Sequence, residues 1–319
     1  MPPRTESFRK KYLKLLGAGS PKDLEEQIVR TVVRALRGGP KSTLPVRLSR
    51  VARQFKIRPR PESIPGAHDG EITFEAPPGE FVIKLCAEDG GVRSDPSVEA
   101  RMRFTYAHEF AHRFFYVESG ETWERALNVV TKDLEIVEQM RHRITLRNTE
   151  EGLCNRIARR LLIPDDFLAE NYSTGIWFAL GEAFFTQLSA VARSLGVSRD
   201  CLLVWLQDVA EKTSNCALIV GYSKGPITQR GASKLRIISG LFPSPVGSGS
   251  FREFYPGAEW ANFGEPASNF VTGRLQAGRP VSSTAIIELR SRQAKGSLVL
   301  KGWFQIISPQ SMLIWGELT

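Results

Sequence analysis

An α+β fold spread over more than one domain is what the sequence predicts, and three observations carry it. Helical periodicity dominates the first two thirds of the chain. Two strand-like runs interrupt it, and from about residue 215 short apolar runs broken by Gly, Pro and Ser take its place. At 319 residues the chain is long enough for two or three domains whose cores need no covalent staples.

Residues 22–37 repeat apolar side chains at helical spacing and stop at Gly38-Gly39-Pro40, so they read as a helix. Residues 44–56 read as a second, short amphipathic helix closed by Arg58-Pro59-Arg60-Pro61. The runs 71–74 and 81–86, parted by Pro77-Pro78-Gly79, read as paired strands. Asp95-Pro96 offers a cap acceptor and a proline at the first helical position, which predicts a helix to about Val117. Residues 123–142 and 150–163 read as two further helices, the second closed by Pro164. Ala192, the turn at Gly196 and the capping Ser198 give 185–209 the look of a helix–turn–helix. Its second helix, rich in Leu202, Leu203, Val204, Trp205 and Leu206, offers only Arg199 and Gln207 for reading bases, so packing is the better role for it. Runs such as 217–220, 235–238, 285–289, 298–300 and 312–315 predict a separate β-rich domain. The domains expected are therefore 1–175, with a basic helical arm at its start, then 176–212 and 213–319.

Composition narrows the setting. Hydrophobic residues make up 42% and charged residues 24%, which argues against wholesale disorder. The polar start has no apolar signal region, and no run of 18 apolar residues occurs, so a cytoplasmic protein without a membrane span is expected. Four cysteines (Cys86, Cys154, Cys201, Cys216) lie far apart, which reads as reduced thiols. The net charge of +9 divides into +12 over residues 1–60, −9 over 61–210 and +6 over 211–319. Arg47, Arg50, Arg53, Lys56, Arg58 and Arg60 make nucleic acid or an acidic partner a secondary candidate; a solvated helix face is the preferred reading of them.

Two of the four histidines flank a glutamate in His108-Glu109-Phe110-Ala111-His112. Residues four apart on a helix share a face, so both imidazoles can reach one Zn²⁺. Glu109 starts beside the first ligand and can lie over the open position, where a carboxylate can take a proton from water. Metal coordination lowers that water's pKa from 15.7 towards about 7. A catalytic zinc needs a third protein ligand. His68 and His142 have no partner at ligand spacing, and Arg141 and Arg143 beside His142 oppose a cation. The helix at 150–163 offers Glu150 and Glu151; periodicity places Glu150 nearer the centre of its buried face, and the residues alone leave the two open.

Arg103-Phe-Thr-Tyr-Ala-His-Glu-Phe-Ala-His resembles the first motif of the ImmA/IrrE family of metallopeptidases, and Glu151-Gly-Leu-Cys-Asn-Arg-Ile-Ala-Arg-Arg-Leu-Leu-Ile-Pro resembles its second. The resemblance implies a zincin-like domain in which Glu151 is the third ligand, with Asn155 hydrogen-bonded to its carboxylate. It implies Zn²⁺, with Mn²⁺ as the alternative occupant, and Glu109 as the catalytic residue. The 39 positions from His112 to Glu151 are more than the family leads one to expect, which predicts an inserted loop or helix around 120–146 acting as a lid or exosite. The layout resembles that of IrrE-type radiation and stress response regulators, which implies a GAF-like C-terminal domain sensing a small molecule. The expected activity is site-specific cleavage of a helix–turn–helix repressor. A DNA-binding regulator using 41–60 or 185–209, with a structural metal, competes with it; a digestive peptidase comes third.

Overall fold

The computed structural model describes residues 4–37, 44–64, 69–86, 96–164, 183–209, 215–221, 234–241, 260–262, 279, 281–290, 295–308 and 311–318. The chain forms two compact units, one of Met1–Asp165 with Arg193–Ser198, the other of Asp166–Ala192 with Arg199–Thr319. It is α+β, and no helix among the described residues is long and apolar enough to cross a membrane.

The first unit begins with α1 (Arg4–Leu15), which the sequence reading missed, and α2 (Pro21–Arg37). Ser20 caps α2 by accepting a hydrogen bond from the Asp23 amide at 3.1 Å. Leu24, Ile28, Val29 and Val32 form its buried face. A three-stranded sheet follows, in the order β1 (Glu62–Ile64), β3 (Glu80–Cys86), β2 (Gly70–Glu75). The expected strand pair is its antiparallel half, with Ile72 opposite Ile83 and Phe74 opposite Phe81. Next come α3 (Pro96–His112), the hairpin β4 (Tyr116–Ser119) and β5 (Thr122–Arg125), α4 (Ala126–Thr131) and α5 (Ile136–Leu162). α3 packs on β2 and β3 on one side and on α5 on the other, with Ala107, Phe110, Ala111, Phe115, Leu153 and Ile157 completely buried.

Three local expectations are corrected. Residues 44–56 form two 3₁₀ turns, Leu48–Arg50 and Ala52–Phe55. Leu48, Val51 and Ala52 are buried, the left-handed Lys56 ends the second turn, and the segment is too short to sustain an α-helix by itself. α3 stops at His112, short of Val117, because Tyr116 and Val117 pair with Arg125 and Glu124 in the hairpin ladder. The helices expected at 123–142 and 150–163 are instead α4 and one 27-residue α5. Residues 143–149 contain neither Gly nor Pro, and Thr145 and Thr149 donate back to the carbonyls of Arg141 and Thr145 without interrupting the helix. The cap expected from Asp95 lies outside the described residues.

The second unit contains most of α6 (Phe184–Leu195) and α7 (Arg199–Val209), the two helices expected around Gly196. Cys201, Leu202, Leu203 and Trp205 of α7 are buried, as expected of a packing helix. Six strands, β6 (Asn215–Gly221), β7 (Lys234–Leu241), β8 (Trp260–Asn262), β9 (Val281–Arg290), β10 (Lys295–Ser308) and β11 (Ser311–Leu318), close into a barrel. Each pairs antiparallel with the next, and β11 closes on β6. Phe304 and Met312 are buried on one face of this sheet, and Trp315, on the other face, is buried against Phe184 of α6 with ring centroids 5.6 Å apart.

The turn after α6 is held by α3. Arg103 Nε donates to the Gly196 carbonyl at 2.9 Å and one Nη to that of Val46 at 2.9 Å. Gly196 has φ +63°, and a Cβ there would lie 2.9 Å from Arg103 Nε. Gly196→Ala is therefore expected to cost about 1–2 kcal/mol for the left-handed backbone, with the displaced arginine added. Gly120→Ala, at φ +65° in the β4–β5 turn with open space around it, supplies the backbone cost alone. Urea unfolding should show the larger loss at Gly196; equal losses would mean that the Arg103 clamp carries no weight.

Candidate metal centre

Two helices bring the site together. The last turns of α3 present His108, Glu109 and His112, and the middle of α5 presents Glu150, Glu151 and Asn155. His108 Nε2 and His112 Nε2 stand 3.0 Å apart. Glu151 Oε2 lies 3.1 Å from the first and 3.5 Å from the second. Among the described residues these three form the group that could hold a metal ion.

The outer ring nitrogens say which lone pairs point inward. His108 Nδ1–H donates to Asn155 Oδ1 at 3.0 Å, and His112 Nδ1–H donates to Glu150 Oε1 at 2.7 Å. With the proton on Nδ1, each neutral imidazole turns an unshared pair inward at Nε2. Those two Nε2 atoms and the Glu151 carboxylate lie at contact distance, where a cation can take the place of the protons they would otherwise share. A tetrahedral ion with bonds of about 2.0–2.1 Å keeps its ligands about 3.3 Å apart, which the three separations straddle. Two nitrogens and one oxygen are also the donor set of a catalytic site, which keeps a position open.

The surroundings favour positive charge between these groups. Burial opposes a charged His112, but the Cys154 thiol and the Glu150 and Glu151 carboxylates outweigh it and push its proton affinity up to about 12. The same field attracts a metal ion. Hydrogen bonds from His108 and His112 hold the Glu151 carboxyl well below the usual range, so it stays ionised. Glu109 is buried, and that burial raises its carboxyl above the ordinary value against the pull of His112 and His108. Burial pushes the Cys154 thiol up to about 11, so it stays protonated.

The structure separates the two adjacent glutamates that sequence spacing left open. Glu151 turns to the two Nε2 atoms. Glu150, with no exposed surface, turns to the far side of His112, where its oxygens also accept from Tyr12 Oη at 2.9 Å and Arg125 Nη2 at 3.0 Å. Asn155 does not serve the Glu151 carboxylate as expected; it holds His108. Tyr12 and Arg125 were not anticipated, because 138 residues separate Tyr12 from Glu150 and no local pattern links them. The expected insert between the ligand helices comprises the β4–β5 hairpin, α4 and the first half of α5, and it reaches the site through Arg125. His142 is buried against Phe8, with ring centroids 4.3 Å apart, as a packed histidine; His68 lies outside the described residues.

No protein-family model matches the chain, and neither does any curated protein.

Metal content distinguishes the roles of these side chains. His108→Ala and Glu151→Gln are expected to lose stoichiometric metal in elemental analysis of the purified chain. Glu150→Gln removes an orienting partner, not a ligand, and should weaken metal binding by about 10–100-fold while a folded protein remains by circular dichroism. Full metal in Glu151→Gln would strike it from the ligand set.

Proposed function

We propose that the chain is a metal-dependent endopeptidase that cuts a helix–turn–helix repressor and thereby releases stress-response genes, as its resemblance to the ImmA/IrrE family implies. The observation that carries this reading is the convergence of His108 Nε2, His112 Nε2 and Glu151 Oε2 next to a buried glutamate with raised proton affinity. His108, His112 and Glu151 would hold Zn²⁺, or Mn²⁺ in its place, and the ion supplies the Lewis acidity that makes water a nucleophile near neutral pH. Asn155 and Glu150 keep both imidazoles in the tautomer that ligates. The Glu109 carboxylate takes a proton from the attacking water and returns it to the departing amide nitrogen, a role that its raised proton affinity suits.

In the same reading the C-terminal barrel is a GAF-like sensor of a small molecule that controls cleavage, and the cytoplasm is where enzyme and repressor meet. The competing DNA-binding role gains little from α7, whose Cys201, Leu202, Leu203 and Trp205 face the core.

Glu109→Gln is nearly isosteric and should keep metal and fold. An amide cannot shuttle the proton, so cleavage of the repressor is expected to fall by about 10²–10⁴-fold. Small repressors from the same genome, incubated with the wild-type and variant proteins with and without a chelator, provide the assay. Normal target-gene induction by the variant, with the repressor left intact, would sink the peptidase reading.

A further inference from the structure

The face of α5 that carries Glu151 continues beyond the metal centre. At about 100° per residue, Val137, Met140 and Ile144 fall within about 40° of Glu151 around the helix, on a line about 21 Å long. They are 82%, 61% and 60% exposed, and Ile136 beside them is 76% exposed. Six large hydrophobic side chains stand exposed among the described residues, and these are four of them. Single exposed apolar residues are ordinary, whereas a collinear group marks an interaction site. The opposite face of the same helix is core, with His142, Leu146, Glu150 and Leu153 buried.

Charge borders the stripe on both sides. Arg141 and Arg147 are exposed along its edges, and Arg143 lies beyond, its Nε on the Thr131 hydroxyl at 3.1 Å. The acidic residues of this stretch, Glu135 and Glu138, fall about 140–160° away around the helix. Arg147 Nε is 3.8 Å from Glu151 Oε1, so the bordered stripe runs into the metal centre without a gap.

We propose that Val137, Met140 and Ile144, edged by Arg141 and Arg147, form a docking ridge for an amphipathic helix of the protein substrate whose apolar stripe is flanked by Asp or Glu. The proposal rests on the peptidase reading and adds to it the chemistry of the substrate segment. A helix of about 10 residues matches the ridge, which spans about 15 Å from Val137 to Arg147. Its apolar side chains interdigitate with those of α5, and its carboxylates meet the arginines. The chain leaving that helix then passes over His108, Glu109 and His112, so the bond cut lies next to the docking helix and not within it. A second copy of this chain is a poor occupant, because the arginine borders would oppose one another.

Two labelled synthetic 16-residue peptides test the ridge, one with Leu at helical i, i+3, i+4, i+7 spacing and Glu at the flanking positions, the other with Lys in place of Glu. Fluorescence anisotropy is read on the full-length Glu109→Gln protein, so binding does not depend on hydrolysis. The Glu peptide is expected to bind at least tenfold more tightly than the Lys peptide. Met140→Glu/Ile144→Glu should lose at least tenfold in affinity for it and retain the metal content of the parent. Equal binding of both peptides, or unchanged binding by the double variant, overturns the ridge. So does sedimentation showing a wild-type dimer that the double variant dissolves. Peptide binding as expected, in a protein whose wild type cuts no repressor, overturns the peptidase reading and leaves the acidic-helix surface standing.

Discussion

Glu150 is the group on which the N-terminal unit depends. It is an acidic side chain with no exposed surface, and it is tolerable there only because three elements bring it partners: Tyr12 from α1, Arg125 from the end of β5 and His112 from α3. A carboxylate left in such a place with neither water nor counter-ion would typically cost about 3–5 kcal/mol, which the three partners together prevent. Four elements are thereby held in one register by a single side chain. His112 cannot turn without breaking its 2.7 Å bond to Glu150, so the direction of its Nε2 lone pair follows from the same contact. The candidate metal centre and the core of the unit are two sides of one hydrogen-bond network.

The parts of the site that were legible beforehand are those fixed by helical spacing. His108 and His112 share a face because they are four residues apart, and no tertiary contact is needed to know it. Their partners were not legible, because α1, the hairpin and α5 meet only in the folded chain. Tyr12 is the clearest case. It belongs to a helix with a weak apolar stripe, and its phenol finds Glu150 across 138 residues. Asn155 was assigned to the wrong acceptor for a related reason. One helical turn from Glu151 it can face either the carboxylate or the ring of His108, and only the approach of α3 decides between them.

The fold was legible wherever a period persisted for several turns and illegible where a short segment is shaped by its neighbours. α2, the β2–β3 pair, α6, α7 and most barrel strands follow their apolar patterns. The hairpin β4–β5 does not: its burial alternates weakly, and its role is to bring Trp123 back to Arg113, which lies just before it with its guanidinium carbon 3.8 Å from the ring centroid, and to return Arg125 to Glu150. α5 was read as two helices because its face changes character at about residue 145, from an exposed apolar stripe to a buried one on the other side. A change of face is not a break in the backbone, and no Gly or Pro between residues 143 and 149 interrupts the amide ladder.

The adjacent glutamates show why the more buried position was the weaker candidate for a ligand. Neighbouring residues on a helix differ by about 100° in direction, so Glu150 and Glu151 cannot do the same work. Periodicity favours Glu150 as the centre of the buried face, and the structure agrees that this is where it points. A carboxylate at that centre is surrounded by protein on every side and can only orient other groups. A ligand of a metal that must also meet a substrate has to sit at the margin, where one side is packed and the other is open. Glu151, 38% exposed and within 3.5 Å of both imidazoles, occupies that margin. The same marginal direction, followed back along α5, is the one on which Val137, Met140 and Ile144 stand free of the core. The edge of the helix is thus where the metal ligand and the surface available to a partner coincide, while its centre is given to holding the site in shape.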